Sequence, residues 1–386
     1  MKSLAVIFAG CLLVATCPNF GWSATELDAR IQTLLKVDRE GAGHDAAVPI
    51  LQEISEQSAA ALIPVLQGMD QANPLAANWL QGAFETIADR NLKAGSLPKN
   101  ELEAFALDRS HAPQSRQLAF DWLVRVDPTA TERLTPGMVD DPSGEFRRAG
   151  VQHLLDSAAK SHVEGDVAMS KELYGKAFSA ARDPDQLDLA FDKLSEMGDK
   201  PDLKRQLGLL GSWWLIGPFD HRGGIGFNTA YPPETQIELD KTYPGTESEV
   251  AWVQKTTDER HSSMDLNNLI GRHKGAVAYA YQNFVSDRDQ TVELRLGTPN
   301  GWKLWVNGQP MFAHEEYHQS ARMDQYRTPV QFKAGNNAIL LKICQNEQDQ
   351  DWAQEWKFQI RVCDPTGTAV LPVATTQLRA VTALQK

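Results

Sequence analysis

The spacing of apolar residues in this chain changes once, at about Gly211, and that change restricts the fold to two successive parts of different class. Before it, apolar residues recur at helical intervals: Leu80, Ala83, Phe84 and Ile87 form one set, and Val151, Leu154, Leu155 and Ala158 another. After it they alternate. Val292, Leu294 and Leu296 are interleaved with Glu293 and Arg295, and Trp356, Phe358, Ile360 and Val362 with Lys357, Gln359 and Arg361. The first pattern buries one stripe of a helix and the second one face of a strand. The sequence therefore predicts a multidomain α-then-β chain: helices over 25–211, an antiparallel β-sandwich over 212–373 and a C-terminal tail over 374–386.

Punctuation supports both halves. Asn73-Pro74, Asp141-Pro142 and Asp183-Pro184 each place a capping residue before a proline at the first helical position, where the missing N–H costs nothing, and Ala112-Pro113 is a weaker version. In the second half, Trp302 to Val306 runs into Asn307-Gly308, whose residues suit the positive φ of a type I′ hairpin. Lys333 to Asn337 forms the next turn, delivering the chain into a strand from Ala338 to Cys344. The run Trp213-Trp214-Leu215-Ile216-Gly217-Pro218-Phe219 opens the strand-rich part, with Trp213 and Trp214 expected as core or interdomain anchors.

Segments opening at Pro74, Pro113 and Pro142 recur, and Arg116, Ala119, Arg147 and Ala149 take similar places within them. This part resembles a degenerate HEAT-type α-solenoid. Met169, Leu173, Tyr174, Ala177, Phe178 and Ala181, followed by Leu187, Ala190, Leu194 and Met197, resemble a tetratricopeptide helix pair. Solenoids bind partners on an exposed concave surface, so the resemblance implies a protein or peptide partner. The same residues also serve simply as the buried faces between neighbouring helices.

Trp302 to Gly308, Val330 to Asn336 and Leu341-Lys342-Ile343 together resemble the galactose-binding-like jelly roll that accompanies many secreted glycoside hydrolases and esterases. Such modules either bind sugars on an aromatic platform or serve as structural domains. On the sugar-binding reading, Trp305, of opposite parity to Leu304 and Val306, faces away from the core, with Arg322, Asp324 and Tyr326 as polar or stacking companions. On the other reading, a neighbouring loop covers it. Gln345 to Asp351 offers oxygen ligands that could suit Ca²⁺, but a solvated hairpin tip is the favoured explanation, and no other cofactor is expected.

The N-terminus reads as a secretory signal over residues 1–24: Lys2, an apolar run from Leu4 to Val14, then the small residues around Ser23-Ala24. The run is shorter than the roughly 20 apolar residues of a membrane span. Phe8-Ala9-Gly10-Cys11 resembles a lipoprotein box, but it has Phe where an aliphatic residue is usual and leaves a short apolar core, so cleavage without lipidation at Cys11 is expected. The expected location is the periplasm or the cell exterior. The formal charge of −12 becomes −13 once Lys2 is removed, and no cluster of Lys and Arg offers a phosphate-binding surface, which argues against nucleic acid and anionic lipid.

Removal of the signal leaves Cys344 and Cys363. Read as neighbours in one hairpin, their strands would hold the two sulfurs on the order of 20 Å apart along the ladder. A disulfide requires Cα atoms within about 7 Å, so two free thiols are expected.

Two enzyme-like motifs remain. His314-Glu315-Glu316-Tyr317-His318 matches the pattern in which His314 and His318 would bind zinc and Glu315 would act as base, but that chemistry requires a helix. In an extended segment the histidines would lie roughly 13 Å apart, and the favoured reading is a strand or loop. Gly223-Gly224-Ile225-Gly226 is followed by a poor helix start and reads as a loop rather than a dinucleotide fingerprint. The expectation is an exported, non-catalytic binding or scaffold protein with a glycan-facing sandwich. The alternative is a zinc-dependent hydrolase acting through His314, Glu315 and His318.

Overall fold

The computed structural model describes residues 22–373, which are helical over 24–207 and antiparallel β from Ser212 onward. Most of the expected signal, with Cys11 and Cys17, and the tail 374–386 fall outside the described residues. Among the described residues no helix is long and apolar enough to cross a membrane.

The chain divides into two compact units that meet at Leu134 and Thr135. In the first, the helices Ala24–Leu34 and His44–Ser55, Leu62–Met69 and Pro74–Lys93, and Lys99–Leu107 and Pro113–Val126 pack as sequential neighbours. Asn73 caps the helix Pro74–Lys93, its side-chain oxygen accepting from the N–H groups of Leu75 and Ala76, as expected of an Asn-Pro start. Leu80, Ala83, Phe84 and Ile87 are fully buried. Arg116 is buried too, and its Nε donates to the Ala106 carbonyl.

The second unit begins with the helices Gly144–Val163, Val167–Ala180, Pro184–Glu196 and Leu203–Leu207. The first of these starts at Gly144 rather than at Pro142. The Asp141 carboxylate accepts from the Ser143 N–H and so completes a turn before the helix, and Ser143 takes the capping position. Val151, Leu155, Tyr174, Ala177, Leu187, Ala190 and Leu194 form one apolar core, which extends to Leu203 and Leu207.

The strands are β1 (Ser212–Asp220), β2 (Thr242–Pro244), β3 (Glu249–Ala251), β4 (Val253–Thr256), β5 (Met264–Asp265), β6 (Ala276–Ser286), β7 (Gln290–Gly297), β8 (Gly301–Val306), β9 (Gln309–His314), β10 (Tyr326–Phe332), β11 (Gly335–Gln345) and β12 (Lys357–Cys363). A six-stranded sheet runs β4-β1-β6-β11-β8-β9 and a four-stranded sheet runs β10-β7-β12-β5, while β2 and β3 pair separately. Neither large sheet closes into a barrel. Side chains from both, including Trp213, Phe284, Trp302, Phe332, Trp356 and Phe358, form a single core between them. The β8–β9 hairpin turns at Asn307 (φ 52°) and Gly308 (φ 76°), as the dipeptide predicts.

One expectation is corrected here. β11 and β12 are not the two arms of a hairpin: β11 lies between β6 and β8 in the larger sheet, and β12 lies between β7 and β5 in the smaller one. The segment from Asn346 to Trp356 crosses between sheets, which residue alternation alone does not reveal. Cys344 and Cys363 are both free and buried, one in each sheet.

A second apolar layer covers the outer face of the six-stranded sheet. Ile216, Phe219, Val277, Tyr279 and Leu340 rise from the strands and meet Phe227, Val250 and Trp252 from the segment that follows β1. Lys342, fully buried, ties this segment down by donating to the carbonyls of Phe227 (3.1 Å) and Thr229 (2.8 Å) and to Glu234 (2.8 Å).

Candidate functional site

With one outer sheet face covered in this way, the loops that follow β1, β9 and β11 gather in one place. Three segments converge there: 221–227, 314–319 and 346–353. The backbones of the first and third are joined through Gly275, since the His221 N–H donates to the Gly275 carbonyl and the Gly275 N–H to that of Asn346, and the second is tied to them by the side chains of Tyr317 and His318. The Glu347 carboxylate accepts from the Gly223 N–H at 2.7 Å. The glycine run is thus a short 3-10 turn docked onto the third loop, with Gly223 and Gly224 both at positive φ, and it opens no α-helix.

The two histidines of the zinc-like motif turn to different partners. His314 ends β9, where its Nε2 lies 3.2 Å from Glu316 and its ring 4.9 Å from that of Tyr326. His318 sits in a loop at φ 60°, a left-handed conformation uncommon for residues other than glycine. Its Nε2 is 2.7 Å from Asn346 Oδ1, and its ring meets Trp352 edge-on at 5.2 Å. Among the described residues no group of three or more His, Cys, Asp and Glu side chains is placed to hold a metal ion, the acidic run 345–351 included.

Trp352 is the prominent member of this cluster. It is 62 % exposed, on a 3-10 turn from Asp351 to Ala353, and its neighbours are polar. The turn is held rigidly. The Ala353 carbonyl accepts from Lys274 Nζ at 2.7 Å and from buried Gln345 Nε2 at 3.1 Å, and Gln354 Nε2 donates to the Gln350 carbonyl at 3.0 Å. An exposed indole on a backbone fixed by buried Gln345 and half-buried Lys274 is a preorganised apolar platform, with His318 against it and Asn346 and Gln348 hydrogen-bonded onward from His318.

His221, buried, joins this cluster through Tyr317: its Nε2 is 2.8 Å from the Tyr317 hydroxyl, and the Tyr317 ring is 6.4 Å from that of His318. Tyr317 OH in turn reaches Glu315 at 3.3 Å. His221 Nδ1 has no hydrogen-bond partner among the described residues. Burial, reinforced by the Lys342 charge, lowers the His221 pKa, with Glu347 and Asp220 opposing. Burial pushes the Tyr317 hydroxyl up. Both groups are therefore neutral at physiological pH and act as fixed dipoles.

The residues expected from sequence to line a sugar site do not share one surface. Trp305 lies on the outer face of the six-stranded sheet and is partly buried in the second apolar layer. Tyr326 belongs to the first residue of β10 and packs on Trp302 at 5.0 Å and on His314. Asp324 is clamped between Arg295 (2.8 Å) and Arg361 (2.7 Å), and Arg322 lines a pocket beside the smaller sheet. Trp352 went unremarked in the sequence, although a tryptophan set among Asp349, Gln350, Asp351 and Gln354 is itself a signal: an aromatic in a solvated loop has no core to enter.

No family model matches the sequence, and no curated protein matches it. Similar solved structures include the PA14 domain of the MpAFP antifreeze protein (14 % identity, TM-score 0.20, over 26 % of this chain and 50 % of that one). Others are a beta-glucosidase from Kluyveromyces marxianus in complex with glucose (9 %, 0.23, 35 % and 16 %) and a Ruminococcus gnavus beta-glucuronidase (13 %, 0.23, 40 % and 28 %). The chain spans half or less of the length of each. Overlaps with TM-scores of this size carry no argument for a shared fold or ligand.

Proposed function

We propose that the chain is an exported, non-catalytic binding protein whose β-sandwich binds carbohydrate at the loop cluster around Trp352, the helical region acting as a solenoid-like scaffold open to a protein partner. The observation that carries this reading is the 62 % exposed indole on a pinned turn. A pyranose ring stacks its C–H face on such a surface while its hydroxyls reach the polar groups at the rim, His318, Asn346 and Gln348. Export rests on the apolar run from Leu4 to Val14.

Affinity electrophoresis through gels containing a panel of soluble polysaccharides tests the reading. At least one polysaccharide should retard the full chain, Trp352→Ala should abolish the retardation without changing the melting temperature, and Trp305→Ala should leave it in whatever fraction remains folded. Retardation that survives Trp352→Ala, or no retardation by any polysaccharide, overturns the assignment.

A further inference from the structure

We infer that a second, separate site for a hydroxylated carboxylate of monosaccharide size lies in the 290 Å³ pocket where the helix Pro184–Glu196 meets the smaller sheet. The volume is at the lower end of small-molecule pockets, roughly 300 Å³ upward. The pocket belongs entirely to the second compact unit.

The polar groups that line the cavity differ in how far they are committed to partners. Asp188 is answered twice, by Arg260 at 2.9 Å and by His261 Nε2 at 2.8 Å. Lys357 Nζ is taken by Glu355. Arg322 is exposed at the mouth of the cavity it lines, and its guanidinium has no hydrogen bond or ion pair among the described residues. The lining side chains thus carry a formal +1, from Arg322 and Lys357 against Asp188, in a chain whose formal charge is −12. An unpaired guanidinium offers the planar fork that matches a carboxylate in two parallel hydrogen bonds.

Hydroxyl recognition comes from the other lining groups. The Ser263 hydroxyl has no partner among the described residues. Gln359 donates its Nε2 to the His261 carbonyl at 2.6 Å, which leaves its amide oxygen as an acceptor. The Arg322 segment is also fixed in place. A Cβ at Gly297 would stand 2.4 Å from the Arg322 carbonyl, so glycine is what allows β7 to end against this segment. Asp324, two residues on, is anchored by Arg295 and Arg361.

Isothermal titration of the full chain with D-glucuronate, D-glucose and inorganic sulfate is the test. Glucuronate should bind at least tenfold more tightly than either of the others. Arg322→Gln should weaken glucuronate tenfold or more with an unchanged melting temperature, Arg322→Lys should lose part of that affinity, and Trp352→Ala should retain all of it. Equal affinity for sulfate would reduce the pocket to a general oxoanion site, and equal affinity for glucose would remove the carboxylate. Either result overturns the inference, as does an undiminished Arg322→Gln. Because the Trp352 variant is scored separately, failure here is distinguishable from failure of the platform assignment.

Discussion

Asp324 shows how much a single side chain holds in this molecule. It sits at φ 59°, in the left-handed region, with two arginines gripping its carboxylate, and the three side chains are 9 %, 6 % and 1 % exposed for Asp324, Arg295 and Arg361. Burial alone would raise its pKa, but the hydrogen bonds and charges of Arg361 and then Arg295 outweigh that and hold the carboxyl below its ordinary value. A depressed carboxyl contributes stability that is present above its unfolded pKa of about 4 and lost as pH falls through the folded value. Breaking one partner out of a buried ion cluster costs about 3–5 kcal/mol. Asp324→Asn should therefore destabilise the chain by about that amount at pH 7, and the gap to wild type should narrow as pH drops below about 4. Guanidinium denaturation across pH measures both, and a gap that stays constant with pH would refute the account.

At the scale of elements, the strands were legible and their neighbours were not. Alternation located β7, β8 and β12 because each buries one face against a single core, and Asn307-Gly308 announced its hairpin through backbone requirements local to two residues. Sheet membership depends on where a connection lands. The segment 346–356, polar and eleven residues long, gives no sign that it carries the chain from one sheet to the other. The same limit applied to the site. The parity of Trp305 points it away from Leu304 and Val306, but the segment that packs in the outer layer with it comes from residues after β1, distant in sequence. The clustering of His221, Tyr317, His318, Asn346 and Trp352 draws on three loops and has no linear signature.

For the whole molecule, the change in secondary structure and the boundary in packing fall in different places. Strands begin at Ser212, yet the compact unit that holds them begins at Thr135. The reason lies in bonds that cross the earlier seam. The Leu210 N–H donates to Ile360 and that of Val362 to Gly208, Arg182 reaches Thr368, Arg147 reaches Thr366, and Arg260 pairs with Asp188 and Asp192. A fragment of residues 135–373 should accordingly melt in one cooperative transition, whereas 212–373, cut at the secondary-structure seam, should be aggregated or molten at the same temperature. Calorimetry and near-UV circular dichroism distinguish the two outcomes, and a cooperative transition in the shorter fragment would show that the helices are dispensable.

The two buried cysteines make the sandwich its own clock. Burial pushes Cys344 up to about 12 and Cys363 up to about 11, against the opposing charges of Lys342 and of Arg361 and Arg295 respectively, so neither is a thiolate at neutral pH. Alkylation by iodoacetamide must then wait for each strand to open, and every covalent mark records one exposure event in one sheet. Cys344 lies outside the inter-sheet core, in the outer layer beneath the segment that follows β1, and that segment can lift without parting the sheets, so Cys344 should be marked faster than Cys363. Peptide mass spectrometry reads them separately, and equal rates would mean that the covering segment lifts only when the whole sandwich unfolds.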